Sequence, residues 1–174
     1  EMPGMYSKGD YDLAGFAVGI VEKDSIIDQT RVSSSDVLIG IHSSGPHSNG
    51  YSLIRKILEI NDTDLSESFD GSTLGEKLLC PTRIYVDLIK KLSDKLQINA
   101  IAHITGGGLI ENLPRVIPSQ LKAVIELTSW KQPPIFSWLQ DKGNIKSLEM
   151  CKTFNCGIGM VIAVGQSDAD KAMD

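Results

Sequence analysis

The sequence predicts one globular domain that combines β-strands with α-helices. Short, continuous apolar runs such as residues 37–41 are typical of buried strands, and residues 50–60 carry apolar side chains at helical spacing. The length of 174 residues fits a single domain. A composition of 41% hydrophobic and 22% charged residues is that of an ordinary soluble protein.

Charge and hydropathy exclude several classes of function. The net charge is −5 and the isoelectric point about 5.2, with no basic stripe, so nucleic-acid binding is not expected. No apolar run approaches the roughly 18 residues of a membrane helix, and the chain does not begin with a signal-peptide pattern. Cys80, Cys151 and Cys156 form no Cys-x-x-Cys pair. A disulfide framework and a zinc site are therefore disfavoured, and the reducing cytoplasm is the expected location.

The first half of the chain predicts a loop, two or three strands and two helices. Apolar and turn-forming residues alternate clearly enough to place most boundaries. In order, we expect a linker or loop at 1–13, a strand at 14–22 with a hairpin return after 23–25, a buried strand at 37–41, a helix at about 50–60, an acidic loop at 61–72, and helical residues from about 74.

The second half continues with the same kinds of segment. Glycine and proline mark several of the predicted ends. In order, we expect a helix from residue 84, a buried strand at 100–104, a short helix at 109–113 that Pro114 interrupts, a strand at 122–127, a helix at 135–141, a glycine-interrupted strand at 154–164, and a last helix from residue 168.

Two glycine-rich loops share one context, because each follows a buried strand and precedes a helix. The first turn of a helix has free backbone N–H groups and the positive end of the helix dipole. Glycine lets a ligand approach the backbone, so a phosphate group is the natural occupant, although a simple tight turn remains the alternative. The predicted phosphate-binding residues are Ser44, Gly45, Ser48, Gly50, Thr105, Gly106, Gly107 and Gly108.

The first loop also supplies the two predicted catalytic residues, His47 and Asn49. Gly45 and Gly50 have the glycine spacing of a Walker A loop, but the lysine that reaches the outer phosphates is missing, which argues against a P-loop nucleotide site. His47 lies mid-loop, where we expect it to be exposed and able to donate to a phosphate or to act as an acid or base. The alternatives are a histidine bonded to a carbonyl, and an Asn49 that caps the first helix.

Other candidate residues give weaker signals. Asp10 and Asp12 have i, i+2 spacing and are weak candidates for binding Mg²⁺, against the commoner interpretation of a solvated loop. Cys156 has no base near it in sequence, so a buried thiol is favoured over a nucleophile. His42 and His103 are as consistent with a structural role as with a site role.

Five stretches together resemble the C-terminal half of phosphoribosylformylglycinamidine cyclo-ligase, a family also called aminoimidazole ribonucleotide synthetase. They are spread along nearly the whole chain, in the family's order. They read EMPGMYSKGDYDLAGFAVGIVEK from residue 1, SSGPHSNGYSLIRKIL from 43, CPTRIYVD from 80, AHITGGGLIENLPRVIP from 102, and TFNCGIGMVIAV from 153.

The resemblance implies an α+β fold, a layered α/β/α domain with a mixed sheet, over residues 14–174. It implies that ATP drives ring closure of formylglycinamidine ribonucleotide to aminoimidazole ribonucleotide, with ADP and phosphate as the other products, in purine biosynthesis in the cytoplasm. Mg²⁺ would accompany ATP, mainly through an N-terminal half absent from this chain. The enzymes are homodimers, and residues 44–50 and 106–108 would face the cleft between the halves.

Two alternatives to this function remain open. One is formylglycinamidine ribonucleotide synthetase, an ATP-using enzyme of the same superfamily. The other is a non-catalytic phosphate-binding fragment, since these 174 residues alone are expected to be inactive.

Overall fold

The computed structural model describes residues 9, 11 and 13–174, and the domain is organised around a three-stranded antiparallel sheet. The order in this sheet is β1–β5–β4, so the last strand of the chain lies between two earlier ones. A separate pair, β2 and β3, forms a small hairpin. The strands are β1 Asp36–His42, β2 Ser68–Phe69, β3 Ser72–Thr73, β4 Ile98–His103 and β5 Ile158–Gly165.

All of the α-helices except the last lie between these strands along the chain. Short 3₁₀ turns at Lys23–Ser25, Gln29–Arg31, Leu113–Arg115 and Gln166–Asp168 accompany them. The α-helices are α1 Tyr51–Ile60, α2 Leu74–Leu78, α3 Val86–Ser93, α4 Gly108–Asn112, α5 Pro134–Gly143, α6 Ser147–Thr153 and α7 Ala169–Met173. Among the described residues, no helix is long and apolar enough to cross a membrane.

The central strand β5 is buried along almost its whole length, which is why its sequence is continuously apolar. Ile162 faces Ile39 of β1 on one side and Ile101 of β4 on the other, so the three side chains share one face. Both neighbours run antiparallel to β5, so they run parallel to each other. The carboxyl ends of β1 and β4 therefore meet at the edge of the sheet where β5 begins.

Helices cover both faces of the sheet. The face that carries Ile162 packs against α3 and α7, and the opposite face, with Val161, packs against α4 and the 3₁₀ turn at Leu113–Arg115. A third cluster joins α1, α2, α5 and α6 around Phe154. The α+β class and its layers are confirmed, whereas the predicted mixture of strand directions is wrong, because every pairing among the described residues is antiparallel.

Two predicted strands are wrong. Residues 14–22 have no strand partner, and Phe16, Val18 and Ile20 are 85–101% exposed. Residues 122–127 also lie outside the sheet. Each segment has the composition of a strand, but a strand needs a paired neighbour, which composition alone does not supply.

Several boundaries and short elements also differ from the predictions. A 3₁₀ turn at Lys23–Ser25 replaces the hairpin, α6 and the β2–β3 hairpin were not predicted, and β5 begins at Ile158 rather than at 154. Cys156 and Gly157 have φ values of 51° and 98°, so the chain turns there and cannot continue as a strand. Most of the linker predicted at 1–13 lies outside the described residues.

The central position of Ile162 makes it a strong test of the sheet. Ile162 is fully buried, so Ile162→Ala should lower the free energy of unfolding by about 2–5 kcal/mol. Ile60 is 60% exposed on α1, so Ile60→Ala should change it by no more than about 0.5 kcal/mol. Urea unfolding of both variants measures the difference, and equal losses would contradict the arrangement of the core.

Candidate functional site

The two glycine-rich loops leave the sheet at the same edge. The Ser43 backbone N–H donates to Gly157 O at 2.9 Å, directly after β1. The Ile104 N–H donates to Gly159 O at 2.9 Å, directly after β4. Each loop is therefore anchored to the start of β5, and the two loops lie on either side of it.

The two loops also approach each other. A β-carbon built on Gly106 would lie 3.6 Å from Oδ1 of Asn49, which is ordinary van der Waals contact. Asn49 does not cap α1, because its Nδ2 donates to His47 O at 2.6 Å and no side chain caps that helix. Its Oδ1 accepts no hydrogen bond within the described chain and remains beside the second loop.

Backbone N–H donors are available in both loops. Among the described residues, the N–H groups of Ser48, Gly50, Gly106 and Gly107 form no hydrogen bond within the protein. Ser48 and Gly106 are both exposed, so solvent reaches both loops. An anion placed between the loops would meet donors from two directions.

The hydroxyl groups predicted to bind phosphate are mostly engaged elsewhere. Ser44 Oγ donates to Pro81 O at 2.6 Å, and Thr105 Oγ1 donates to Asn112 Oδ1 at 3.3 Å. Asn112 also donates through Nδ2 to the Gly108 carbonyl at 2.8 Å and the Gly106 carbonyl at 3.2 Å. The buried amide of Asn112 thus fixes the second loop.

Gly108 is required for the packing of the second loop. Its φ is 57°, and a β-carbon there would lie 2.8 Å from the carbonyl oxygen of Phe154 and closer still to that of Cys151. A side chain at this position would push the loop away from α6 and from Phe154, which follows it.

His47 is buried, so the prediction that it is exposed is wrong. Only 3% of its surface is accessible, and its Nε2 accepts from the backbone N–H groups of Ser44 at 3.0 Å and Arg83 at 3.3 Å. Two donors aimed at Nε2 assign the ring proton to Nδ1, which has no partner among the described residues. Burial, and then the charges of His103 and Arg83, lower the pKa of His47.

An aromatic side chain links the two loops below the surface. The Tyr85 ring lies 6.0 Å from the ring of His47 and 6.0 Å from that of His103, with edge-on geometry in both pairs. A β-carbon built on Gly159 would lie 2.7 Å from Cε1 of His47, so the ring packs directly on the β5 backbone. His42 and His103 are exposed at the ends of β1 and β4.

Arg83 is a site residue that the sequence did not reveal. Its Nη1 donates to His42 O at 3.2 Å, and its guanidinium lies 5.5 Å from the centre of the Tyr85 ring. No described carboxylate forms a salt bridge with it. A lone arginine before a helix looks like any surface cation, so only the fold shows that it lies beside the first loop.

Asn155 is a second residue of the site that the sequence analysis did not identify. Its side chain is 1% exposed, its Oδ1 accepts from Ser43 Oγ at 3.0 Å and from the Gly157 N–H at 2.8 Å, and its Nδ2 donates to Gly45 O at 2.8 Å. The only signal for it was its position before Cys156 and Gly157 in the TFNCG stretch.

Cys156 is a buried thiol, as the sequence favoured. It is 3% exposed, and burial, with the neighbouring Cys151, raises its pKa to about 12. A thiol held protonated in this way is a poor nucleophile.

No metal centre is visible in the described part of the chain. This part of the chain contains no cluster of three or more histidine, cysteine, aspartate or glutamate side chains that could hold a metal ion. Asp10 and Asp12, the weak candidates for Mg²⁺, lie outside the described residues.

A cavity of about 780 Å³ lies away from the loops, on the sheet face between β1 and residues 117–130. Its lining includes His42 but no residue from 44–50 or 105–108.

Fold and site together define an α+β domain whose sheet edge carries two adjoining glycine-rich loops. Residues 34–174 match the model of the family described as AIR synthase related protein, C-terminal domain. The match covers most of the chain, so the protein belongs to this family. The AIR synthase related superfamily consists of ATP-utilising enzymes.

The low pKa of His47 predicts a pH dependence of stability. The folded chain binds fewer protons than the unfolded chain just below the ordinary histidine pKa of about 6.5, so this contribution to stability is present above that pH and is lost as the pH falls. His47→Gln should flatten the decline below about pH 6.5 in urea unfolding. Identical slopes for both proteins would contradict the assignment.

The thiol of Cys156 should resist alkylation. With a pKa of about 12, only roughly one thiolate in ten thousand exists at about pH 8. Iodoacetamide should therefore modify the half-buried Cys80 in the native protein and leave Cys156 unmodified until urea is added. Peptide mass spectrometry measures both sites, and rapid native labelling of Cys156 would show that it is accessible.

Proposed function

We propose that this chain is the substrate-side half of a phosphoribosylformylglycinamidine cyclo-ligase. In this function, formylglycinamidine ribonucleotide closes to aminoimidazole ribonucleotide while ATP becomes ADP and phosphate, in purine biosynthesis in the cytoplasm. The observation that carries the proposal is the closeness of the two loops in a chain of this family. Oδ1 of Asn49 in the first loop lies 3.6 Å from the place of a β-carbon on Gly106 in the second, and both loops have free N–H groups.

The proposed ligand of the two loops is a phosphate group of the substrate or of ATP. Unpaired N–H groups at Ser48, Gly50, Gly106 and Gly107 supply the donors. Hydrogen bonds to a charged group contribute about 1.5–3 kcal/mol each, which can offset the desolvation of a phosphate when several act together. Ser44 and Thr105 already donate their hydroxyl protons within the protein, and the Ser44 backbone N–H donates to His47, so the proposed phosphate site does not depend on these groups.

Arg83 supports the same proposal through its charge. The chain is acidic overall, with a net charge of −5, yet this guanidinium stands beside the first loop without a described acidic partner. Contacts with His42 O and the Tyr85 ring restrict it. A restricted guanidinium loses less side-chain entropy when it binds an oxyanion.

The predicted catalytic residues take different roles in this proposal. Asn49 would accept a hydrogen bond from an N–H or O–H group of the substrate through Oδ1, which faces Gly106 and is not otherwise bonded, whereas its Nδ2 already donates to His47 O. His47 orients the first loop through Nε2, because its burial and lowered pKa keep it neutral. An acid or base role for His47 would need access that the buried ring does not have in this state.

ATP and Mg²⁺ remain parts of the proposal. Bound ATP would supply the phosphoryl group that turns an amide oxygen into a leaving group. The free N–H groups of the loops suit a phosphate, but the described residues offer no carboxylate cluster for Mg²⁺. We therefore assign most of the metal and nucleotide binding to an N-terminal half and to a homodimer of the complete enzyme.

The rival function is that of formylglycinamidine ribonucleotide synthetase, which the family match allows equally. The two enzymes are distinguished by substrate, so full-length protein containing this chain should be given each substrate with ATP and Mg²⁺. We expect aminoimidazole ribonucleotide and ADP from formylglycinamidine ribonucleotide. Glutamine-dependent turnover of formylglycinamide ribonucleotide would support the rival, and no turnover of either would support a non-catalytic role.

Replacement of Arg83 tests the anion site in the 174-residue chain. Arg83→Ala should weaken binding of inorganic phosphate by about tenfold or more, since a charge-assisted bond is lost, and Arg83→Lys should weaken it less. Arg55→Ala removes an equal charge from the exposed side of α1 and serves as the matched control. Phosphate titration followed by NMR measures all three, and equal effects at positions 55 and 83 would indicate only a general loss of positive charge.

A further inference from the structure

The turn between α6 and β5, residues 154–157, touches both glycine-rich loops. A β-carbon built on Gly50 would lie 2.9 Å from Cδ1 of Phe154, so the first loop rests on that ring. A β-carbon on Gly108 would lie 2.8 Å from the carbonyl oxygen of the same residue, so the second loop rests on its backbone. Phe154 therefore contacts both loops.

Asn155, the next residue, connects this turn to the first loop by hydrogen bonds. Nδ2 donates to Gly45 O, and Oδ1 accepts from Ser43 Oγ. The same Oδ1 accepts from the Gly157 N–H within the turn. A 99% buried amide with these partners allows little freedom of movement between the turn and the loop.

The backbone of the turn is itself strained. Cys156 adopts φ 51°, which is unfavourable for a residue with a side chain, and Gly157 adopts φ 98°. Such conformations persist only when surrounding contacts hold them, and the bond from the Gly157 N–H to Asn155 Oδ1 is one of these. Loss of the Asn155 amide would release the turn as well as the first loop.

We propose that Asn155 is a positioning residue that sets the spacing between the two glycine-rich loops. It holds the first loop through Gly45 and Ser43, and it holds the second through the turn that presses Phe154 O against Gly108. The inference rests on the proposed function, in which one anion contacts both loops. A ligand bridging two loops is sensitive to displacements well below 1 Å, roughly the tolerance of a preorganised site.

The test compares three variants of the 174-residue chain. Asn155→Asp keeps the shape but loses the donor to Gly45 O, and Asn155→Ala loses all three bonds. The matched control is Asn61→Ala, because the Asn61 amide also joins distant backbone, donating to the carbonyls of Ile57 and Lys142, without touching either loop.

Two readouts separate positioning from simple stability. Inorganic phosphate affinity is measured at a temperature where every variant is folded, and NMR records the amide signals of Gly45, Gly106 and Gly107 without phosphate. Both Asn155 variants should bind phosphate about three- to tenfold more weakly, a range set by loss of about one hydrogen bond. Both should also shift the Gly106 and Gly107 signals, although Asn155 bonds to neither. Asn61→Ala should lower stability alone.

The outcomes distinguish this inference from the proposed function. Unchanged Gly106 and Gly107 signals and unchanged affinity in the Asn155 variants would overturn the positioning role. Failure of the unmodified chain to bind phosphate would contradict the proposed anion site, while the amide signals would still decide whether Asn155 couples the loops. If Asn155→Ala does not fold, the isosteric Asn155→Asp variant provides both measurements.

Discussion

Pairing of β5 with a strand on each side is the constraint that creates the site. Because β1 and β4 are both antiparallel to β5, they run in the same direction and end at the same edge of the sheet. The loops that follow them start one strand apart, anchored at Gly157 O and Gly159 O. Burial of the apolar β5 stabilises this pairing, so the same side chains that form the core also bring the loops together.

The loops themselves are held by polar side chains that the core excludes from water. His47 and Asn155 fix the first loop, and Asn112 fixes the second, each through bonds to backbone groups. Buried polar groups are costly unless they are bonded, so these contacts specify one loop conformation rather than several. The loops can therefore leave backbone donors unpaired at their tips without losing their shape.

Elements with strong local patterns were predictable from sequence, and elements that depend on a distant partner were not. The helix at 50–60 and the strands at 37–41 and 100–104 appear close to their predicted bounds, because spacing and burial are local properties. Residues 122–127 have strand composition but no pairing in the sheet. Asn155 and Gly45 are 110 residues apart, so no local signal linked them, and the depth of His47 depended on the packing of Tyr85 and Gly159.

The absence of a side chain at Gly159 limits which substitutions the domain can accept at this position. With no methyl group there, the His47 ring and the Tyr85 hydroxyl can both approach the backbone of the middle strand. An alanine at that position would collide with Cε1 of His47, only 2.7 Å away, and with the Tyr85 hydroxyl. A side chain at this position would therefore displace the buried histidine that holds the first loop, although residue 159 belongs to neither loop.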